Sequence, residues 1–548
     1  MSPPDPAPTA SGEASPGAAL PAPGDEPPRQ RIARNTTVFA IATGASRIAG
    51  LAREVVASGY FGTSGPFSAF TIAFQVPNLL RSLVADAALS AAFVPVFTEL
   101  LEQGRRKDAF RLATTLFMMI LAGLGAITAF FILAAPVIMP LFVGDEFSAR
   151  LTDLTVGLSQ VLFPIVVLLG LNGLVVGILH SYEHFTVPAI APLVWNVVII
   201  VGLVVLRPAF HGDDKIYAYA IGVLIATVVQ LGMSLPMLPR VGFRFAREMN
   251  WRDPRLWRVL RLMLPVTLGL GIINFDLVIN SALGSLISDQ APRAIDAAFR
   301  IYMLPQGVFS VALATVLFPT LSRLVARGDM DGLRGTMGNG LRQICLFLIP
   351  AAACTIALAT PITRLIYQRG AFGPGSTEIV SEALFWFSFS LPFAGANLLL
   401  TRTFFSLQRP WEPTLLALGS LVVNAAVSFA LYAPLGVAGP VIGTAVGSIA
   451  MTAGQAWALR GRIGRIDGRR TLVAAAQMLL AAVLLGAVAF GCWSALDAAL
   501  GRALWAQIVS VGLAFAAGSA VYAAIVLGLR LPEALQVRAL VAGRLGRS

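Results

Sequence analysis

Long apolar segments alternate with short polar breaks along nearly the whole chain. Runs of twenty or more residues rich in Leu, Val, Ala and Phe recur from about residue 35 to residue 530. A bilayer about 30 Å thick requires roughly 20 apolar residues per helix, so the pattern predicts an all-α polytopic membrane protein. The runs are continuous rather than alternating, which excludes a β-barrel. Division at the polar breaks predicts about fourteen transmembrane helices, at roughly 35–58, 67–99, 110–134, 153–179, 186–206, 216–238, 259–287, 295–322, 340–362, 378–401, 412–432, 437–459, 471–494 and 504–529.

The basic residues follow the same division. If the N-terminus is cytoplasmic, the predicted cytoplasmic connections hold 22 Lys and Arg and the outer connections hold 7. This bias follows the positive-inside rule and predicts that both chain ends are cytoplasmic. The net charge of +12 is therefore a topology signal, and we expect no nucleic-acid partner.

Four arginines fall inside the predicted spans: Arg47, Arg53, Arg81 and Arg300. An arginine at the centre of a membrane helix costs roughly 2.5–3.5 kcal/mol unless it meets water, an acid or an anionic ligand. One interpretation is structural ion pairing, for which the candidate acids are Glu54, Asp86, Asp276 and Asp296. The other is a basic, water-filled cavity that accepts an anionic substrate. Three of the four arginines cluster in the first two helices, which favours the cavity.

The chain also contains an internal repeat. Residues 94–104 read VPVFTELLEQG and residues 318–328 read FPTLSRLVARG, and each segment ends the second helix of a six-helix block. A second repeated feature is a serine followed seven residues later by a proline: Ser181 and Pro188 in one block, Ser406 and Pro413 in the other. Parallel repeats of this kind predict two six-helix lobes with a substrate site between them.

The predicted organisation has six parts: a disordered cytoplasmic tail (1–33), an N-terminal six-helix lobe (34–238), a basic cytoplasmic linker (239–258), a C-terminal six-helix lobe (259–460), the appended helices 13 and 14 (461–530) and a cytoplasmic tail (531–548).

Motifs for catalysis are nearly absent. The segment His180-Ser-Tyr-Glu-His184 matches a zinc pattern in letters, but the only other histidine, His211, is predicted on the opposite side of the membrane. The sequence contains no Walker-type loop, no G-x-S-x-G and no Cys-x-x-Cys. We therefore predict neither an enzyme nor a metal site, and no cofactor.

The most specific sequence motifs lie in the first two predicted helices. Residues 46–62 read SRIAGLAREVVASGYFG and residues 69–99 read AFTIAFQVPNLLRSLVADAALSAAFVPVFTE. Together with Arg300 to Pro305, Gly307-Val308, Phe318-Pro319 and Gln368-Arg-Gly-Ala-Phe372, they resemble the MurJ/MviN family. That family consists of lipid II flippases of the multidrug/oligosaccharidyl-lipid/polysaccharide exporter superfamily. The resemblance spans about residues 35–530.

The resemblance implies a flippase that moves lipid-linked peptidoglycan precursor across the bacterial inner membrane by alternating access, for cell-wall synthesis. Arg47, Arg53, Arg81 and Arg300 fall on the family's cavity arginines and would bind the diphosphate. Cell-wall synthesis proteins are possible partners. Two alternatives remain open: an exporter of another polyprenyl-diphosphate glycolipid or a small drug, and a non-transporting scaffold for wall-synthesis proteins.

The sequence departs from the family pattern at several positions: Ser68 and Phe299 stand where the family usually has Asp, and Asp86-Ala-Ala88 stands where it usually has Glu-Gly-Ala. A sodium site of some members would fall near Asn280, Asn397 and Thr401, and we expect no tight sodium there because no carboxylate is among the three. The residues that could couple transport to an ion or proton are Asp86, Asp276, Asn280, Asn397 and Thr401. Asp276 is expected to pair with a cavity arginine in one of the two transport states.

Overall fold

The computed structural model describes residues 28–84, 87–464 and 468–545, and every regular element within these ranges is helical. The α-helices of this part of the chain are α1 Pro28–Phe61, α2 Gly65–Val84, α3 Ala87–Glu102, α4 Arg106–Ile138, α5 Ala149–Leu162, α6 Pro164–Ser181, α7 Thr186–Leu206, α8 Tyr217–Ser234, α9 Met237–Arg240, α10 Pro254–Ser285, α11 Ala291–Ala326, α12 Met330–Ala357, α13 Ala359–Tyr367, α14 Pro374–Ser388, α15 Leu391–Ser406, α16 Trp411–Leu435, α17 Ala438–Ile463, α18 Gly468–Leu500, α19 Leu504–Gly528 and α20 Pro532–Leu545.

Each of the fourteen predicted segments contains one helix or a pair of helices. Prolines mark two of the breaks: Pro164 begins α6, and Pro392 is in the first turn of α15. Proline has no backbone N–H to continue the preceding hydrogen-bond ladder but is tolerated in the first turn of a helix. The two helices α14 and α15 consequently meet at a bend of 48°.

The protein is a multi-pass helical membrane protein, but the count of fourteen spans is not confirmed. Within the described ranges, nine helices or helix pairs are long and apolar enough to cross a membrane, and the bent pair α14–α15 makes a tenth. Helix α1 is not among them. Its second half carries Arg47, Arg53 and Glu54, which lower its apolar character.

The first sequence repeat is also a structural repeat. Helices α3 and α11 are each followed, two residues after the last helical residue, by a glycine in the left-handed region: Gly104 and Gly328, both with φ of 71°. The next residue in each case donates its N–H to a carbonyl five positions back, Arg105 to Leu100 and Asp329 to Leu324. Glycine adopts positive φ without steric cost, which explains its place in both copies.

The second repeat has the same character. Glu183 and Gln408, each two residues after the repeated serine, adopt positive φ values of 56° and 59°. His184 donates its N–H to Leu179 and Arg409 donates its N–H to Phe404, again five positions back. These matching turns support the two-lobe repeat.

Among the described residues, three hydrophobic cores organise the bundle. One joins α1–α9, a second joins α11–α17, and a third joins α12 to α18–α20. Helix α10 connects the two lobes, since it packs on α2 and α3 as well as on α16. The chain after residue 531 forms α20, which packs back on α12. Helix α1 begins at Pro28, before the predicted lobe boundary at residue 34, and residues 1–27 of the predicted tail lie outside the described residues.

Candidate functional site

Helices α1 and α11 bring charged side chains from the two lobes into contact. Glu54 lies on α1, and Arg293, Asp296 and Arg300 lie on α11 at spacings of three and four residues. Residues at these spacings share one face of an α-helix. The α11 face therefore presents two guanidinium groups and one carboxylate to α1.

The five side chains form a continuous ion-pair system, which we call the Glu54 network: Arg53, Glu54, Arg293, Asp296 and Arg300. Arg53 Nη2 lies 2.7 Å from Glu54 Oε1. Arg293 Nη2 and Arg300 Nε lie 3.1 Å and 3.3 Å from Glu54 Oε2. Asp296 receives Arg293 Nη1 at 2.7 Å and Arg300 Nε at 2.9 Å. Three cations and two anions leave the network with one excess positive charge.

Aromatic side chains keep most of this network away from water. Arg293 is 1% exposed and lies 4.0 Å above the ring of Phe67, and Arg53 lies 5.1 Å from the ring of Trp195. The cavity enclosed beside the network has a volume of only about 10 Å³, close to the space of a single water. Removal of one partner from such a buried set leaves an uncompensated charge, which is strongly destabilising.

Arg300 forms the open edge of the network. Its side chain is 35% exposed, whereas that of Asp296 beside it is 9% exposed. Within the described residues its hydrogen bond comes from Nε, which leaves both terminal nitrogens for another ligand. A guanidinium group can grip phosphate oxygens through two such donors.

Arg47 lies two turns before Glu54 on α1 and is exposed. A Cβ built on Gly307 of α11 would be 3.6 Å from Arg47 Nη1, so the side chain reaches the opposite lobe. Gly307 is seven residues after Arg300 and therefore on the same helix face. Arg47 and Arg300 thus border the same space between the lobes.

Arg81 has different contacts. Its Nε and Nη2 donate to Asn78 Oδ1 at 3.2 Å and 2.9 Å, and Asn78 Nδ2 in turn donates to Asn274 Oδ1 on α10 at 3.4 Å. No described ion pair joins it to the Glu54 network. Asp86, a predicted partner and coupling residue, lies outside the described residues.

The sequence interpretation missed Arg293. It assigned this residue to an outer connection because helix 8 was predicted to begin at residue 295, whereas α11 begins at Ala291 with Pro292 in its first turn. Arg293 is in fact the largest side chain in the molecule with almost no exposure among the described residues. The regular spacing of Arg293, Asp296 and Arg300 was the signal that could have identified it.

The lobes also interlock where α1 ends. Ala371 donates its N–H to the Gly59 carbonyl at 2.8 Å, and the Thr63 hydroxyl lies 3.1 Å from Gln290 Oε1 and 2.8 Å from Ser376 Oγ. Gly370 has a φ of 58°, and a Cβ there would approach the Gly59 carbonyl to 2.2 Å. The Gln368–Phe372 motif therefore contains a glycine because the two backbones touch. The bundle is closed at this end.

A second polar group, the Asp276 cluster, lies within the C-terminal half of the chain and consists of Asp276, Asn280, Asn424, Ser428 and Thr444. Asn424 Nδ2 donates to Asp276 Oδ1, and Asn280 Nδ2 donates to Thr444 Oγ1 at 3.0 Å. Ser428 Oγ donates to Asn424 Oδ1 at 2.8 Å. In the described part of the chain Asp276 accepts from amides and pairs with no arginine, so the expected arginine pairing is not seen in this conformation.

The predicted sodium residues separate into two places. Asn397 Nδ2 donates to the Ser448 carbonyl at 3.1 Å, and Gln455 Nε2 donates to Thr401 Oγ1 at 2.9 Å, so both belong to the contact of α15 with α17. Asn280 instead lies beside Asp276, with its Oδ1 buried and without a hydrogen-bond partner. Although no carboxylate is among the three predicted residues, the Asp276 carboxylate lies next to Asn280. The oxygens of Asp276 and Asn280 are ligands that suit a hard cation.

Comparisons with known proteins agree on one family. The chain matches the family described as "Lipid II flippase MurJ" over residues 57–508. It is 30% identical over 410 residues to the lipid II flippase MurJ of Burkholderia cenocepacia, covering 74% of this chain and 79% of the relative. It is 28% identical over 500 residues to the probable lipid II flippase MurJ of Rhizobium meliloti, covering 89% and 92%.

Solved structures show the same fold. A lipid II flippase MurJ in an inward closed conformation superposes with a TM-score of 0.72 at 22% identity, covering 90% of this chain and all of that one. An inward-facing multidrug transporter of the MATE family superposes with a TM-score of 0.67 at 16% identity, covering 77% and 96%.

Proposed function

Since the chain belongs to the MurJ family of lipid II flippases, we propose that it carries lipid II, the lipid-linked peptidoglycan precursor, from the inner to the outer leaflet of the bacterial cytoplasmic membrane. The protein is a transporter and not an enzyme, so no bond of the lipid is broken. The proposed action is alternating access, in which the two lobes rock about a site between them.

The observation that carries the proposal is the Glu54 network between α1 and α11. Its excess positive charge and the half-open Arg300 complement a diphosphate, which brings at least two negative charges. Arg47 borders the same space and supplies a second exposed guanidinium group. We assign Arg47, Arg53, Arg81 and Arg300 to substrate binding, with Arg53 acting through Glu54 and Arg81 held by Asn78.

The same network also acts as a gate in this proposal. Glu54 of one lobe is bound by Arg293 and Arg300 of the other, so the lobes can separate at this end only when these pairs break. A diphosphate bound by Arg300 and Arg47 would compete with Glu54 for the positive charge of Arg300. Substrate binding would therefore weaken the contact that holds the bundle closed.

Orientation is part of the proposal. With both chain ends cytoplasmic, the interlocked end at Gly59 and Ala371 faces the outside and is closed. The space between the lobes would then be reached from the cytoplasm. Outward movement of an anion is favoured by an inside-negative potential by about 2.3 kcal/mol per charge per 100 mV. Cysteines placed in 101–109, 240–256, 327–335 and 460–470 should resist an impermeant thiol reagent in intact cells. Labelling at two of these loops would show that the proposed orientation is wrong.

We assign coupling to the Asp276 cluster, because Asp276 lies within helix α10 and pairs with no arginine among the described residues. Asp276, Asn280 and Thr444 would hold a sodium ion if one binds, and the ion would supply a positive charge that the amides lack. Asn397 and Thr401 contact other groups, and we assign them to packing between α15 and α17. Asp86 stays a sequence-based candidate for coupling.

The decisive experiment is a leaflet-accessibility assay with labelled lipid II in proteoliposomes. The protein should increase the fraction of label exposed to an external modifying enzyme, and Arg300→Ala should abolish this increase while leaving insertion intact. Transport of a polyprenyl-diphosphate sugar without the lipid II headgroup at the same rate would favour the broader exporter. Complementation of a flippase-depleted strain by the Arg300→Ala protein would instead favour a non-transporting scaffold.

A further inference from the structure

A second basic pocket lies at the end of the bundle where α18 begins and α19 ends. It has a volume of about 410 Å³ and is lined by residues of α12, α18 and the first turn of α20. Its charged side chains are Arg342, Arg469, Arg470 and Glu533. None of these belongs to the Glu54 network or the Asp276 cluster.

Two buried side-chain atoms of residues that line this pocket have no hydrogen-bond partner among the described residues. Arg342 is 6% exposed and Glu533 is 1% exposed, and Arg342 Nε donates to Glu533 Oε1. Within the described residues, Arg342 Nη1 and Glu533 Oε2 are buried without a hydrogen bond. Because unpaired buried polar atoms are costly, the site calls for a ligand with both an acceptor and a donor.

The rest of the pocket favours an anion. Arg469 and Arg470 are exposed in the first turn of α18, and α20 begins beside them at Pro532. The N-termini of two helices bring partial positive charge and free backbone N–H groups to the same place. Three arginines face a single carboxylate, so the lining is positive overall.

The surface next to these arginines is apolar and open to lipid. Leu472 and Leu480 on α18 are 72% and 71% exposed, and Val473 lines the pocket itself. An anion in the pocket would therefore lie directly above acyl chains packed along α18. This position is typical of basic pockets that bind phospholipid headgroups between membrane helices.

We propose that this pocket binds the phosphoglycerol headgroup of an anionic membrane phospholipid. The phosphate oxygens accept hydrogen bonds from Arg342 Nη1, Arg469 and Arg470. A glycerol hydroxyl donates to Glu533 Oε2, so both orphaned atoms gain a partner. A bound lipid would join α18 and α20 to α12. The proposal does not depend on lipid II being the transported substrate.

The test measures lipid binding to the full-length protein in detergent by native mass spectrometry, with phosphatidylglycerol, phosphatidylcholine and inorganic phosphate as probes. Phosphatidylglycerol should bind more tightly than phosphatidylcholine, and the double variant Arg469→Gln/Arg470→Gln should weaken it about tenfold or more through the loss of two charge-assisted contacts. Arg460→Gln removes an exposed arginine near the same membrane surface that does not line the pocket, and should leave binding unchanged.

Three results would overturn the proposal. Equal phosphatidylglycerol binding by the double variant and the parent protein would show that the arginines are not the site. Competition by millimolar inorganic phosphate would identify a free-phosphate site. Displacement of phosphatidylglycerol from the parent by equimolar polyprenyl diphosphate, lost in the double variant, would make the pocket a waiting site for the transported lipid. Glu533→Gln should reduce the preference for phosphatidylglycerol over phosphatidic acid, since a neutral amide accepts the glycerol hydroxyl less well.

Discussion

The Glu54 network and the Asp276 cluster both lie within apolar helices of the described chain, and they are built from different chemistry. The Glu54 network consists of full charges and joins helices of different lobes, α1 and α11. The Asp276 cluster has one acid surrounded by amides and hydroxyls and joins α10, α16 and α17. The first crosses the surface where the lobes meet, whereas the second lies within the packing of the C-terminal half.

This difference in chemistry indicates that the two groups have different roles in transport. Ion pairs across a movable interface are strong while the site is dry, and an anionic ligand or water can replace them. An acid held by neutral donors keeps its local packing, but its net charge changes when a proton or cation binds. We therefore expect loss of a charge in the Glu54 network to affect both stability and transport, and neutralisation of Asp276 to affect mainly the rate of transport.

The largest effect is expected at Arg293. Arg293→Gln leaves Glu54 and Asp296 buried with one cation fewer, and loss of one partner of a buried pair costs about 3–5 kcal/mol. Thermal unfolding in detergent should occur at a clearly lower temperature, and lipid II flipping should be lost. Adding Glu54→Gln to the same chain should not restore the stability, because Glu54 keeps Arg53 and Arg300 as partners and its loss removes the acid that pairs with Arg53. A single variant as stable as the parent would contradict the central place of Arg293.

Arg300→Lys is expected to separate binding from folding. Lysine keeps the positive charge beside Asp296 but cannot present a planar fork to phosphate oxygens. Loss of one charge-assisted hydrogen bond of about 1.5–3 kcal/mol predicts roughly tenfold to hundredfold weaker lipid II binding with nearly unchanged thermal stability. Arg240→Lys, at an exposed helix end, is the matched control and should have no effect. Equal binding by the parent and Arg300→Lys would reduce Arg300 to an electrostatic role.

Much of the fold could be predicted because it depends on local patterns. Apolar length predicted where helices occur, and prolines explain where the predicted spans split. The repeated segments 94–104 and 318–328 were predicted to end equivalent helices, and the glycine that closes each segment has a φ of 71°. Helix boundaries were less predictable: the proline and arginine at 292 and 293 were interpreted as a loop but form the first turn of α11.

The candidate site was predictable only in part, because its contacts join distant positions. Glu54 and Arg293 are separated by 239 positions, and Asp276 and Asn424 by 148. The cost of an arginine in a membrane identifies Arg53 and Arg300 without structural knowledge. It cannot decide whether they meet an acid or water. In the structure both arginines meet Glu54, and Arg300 also faces the space between the lobes.

Asn424→Ala tests whether neutral donors hold Asp276 in place. Asn424 is 2% exposed and contacts both Asp276 and Ser428. Its loss should lower the free energy of unfolding by about 1–3 kcal/mol, since a buried carboxylate oxygen loses its donor. Thermal unfolding measures this effect, and Asn397→Ala on the neighbouring α15–α17 contact provides a comparison outside the cluster. If lipid II binding falls more than stability, the cluster belongs to the substrate site and the contrast between the two groups is wrong.

The smallest effect on stability is expected from Asp276→Asn, and it gives the sharpest comparison when Asp296→Asn is made in parallel. Both changes replace a carboxylate by an amide of nearly the same shape. At position 296 the change removes a charge that two guanidinium groups share, so folding and flipping should both suffer. At position 276 the acid has only amide partners among its described contacts, and the side-chain amide of Asn can keep most of these hydrogen bonds.

Asp276→Asn should therefore bind lipid II normally and unfold at nearly the parent temperature, while the flipping rate loses its dependence on sodium or proton gradients. Flipping rates in proteoliposomes with imposed gradients measure this dependence directly. Gradient dependence that persists in Asp276→Asn would place coupling elsewhere in the molecule, whereas equal loss of stability in the two variants would mean that both groups serve mainly to hold the fold.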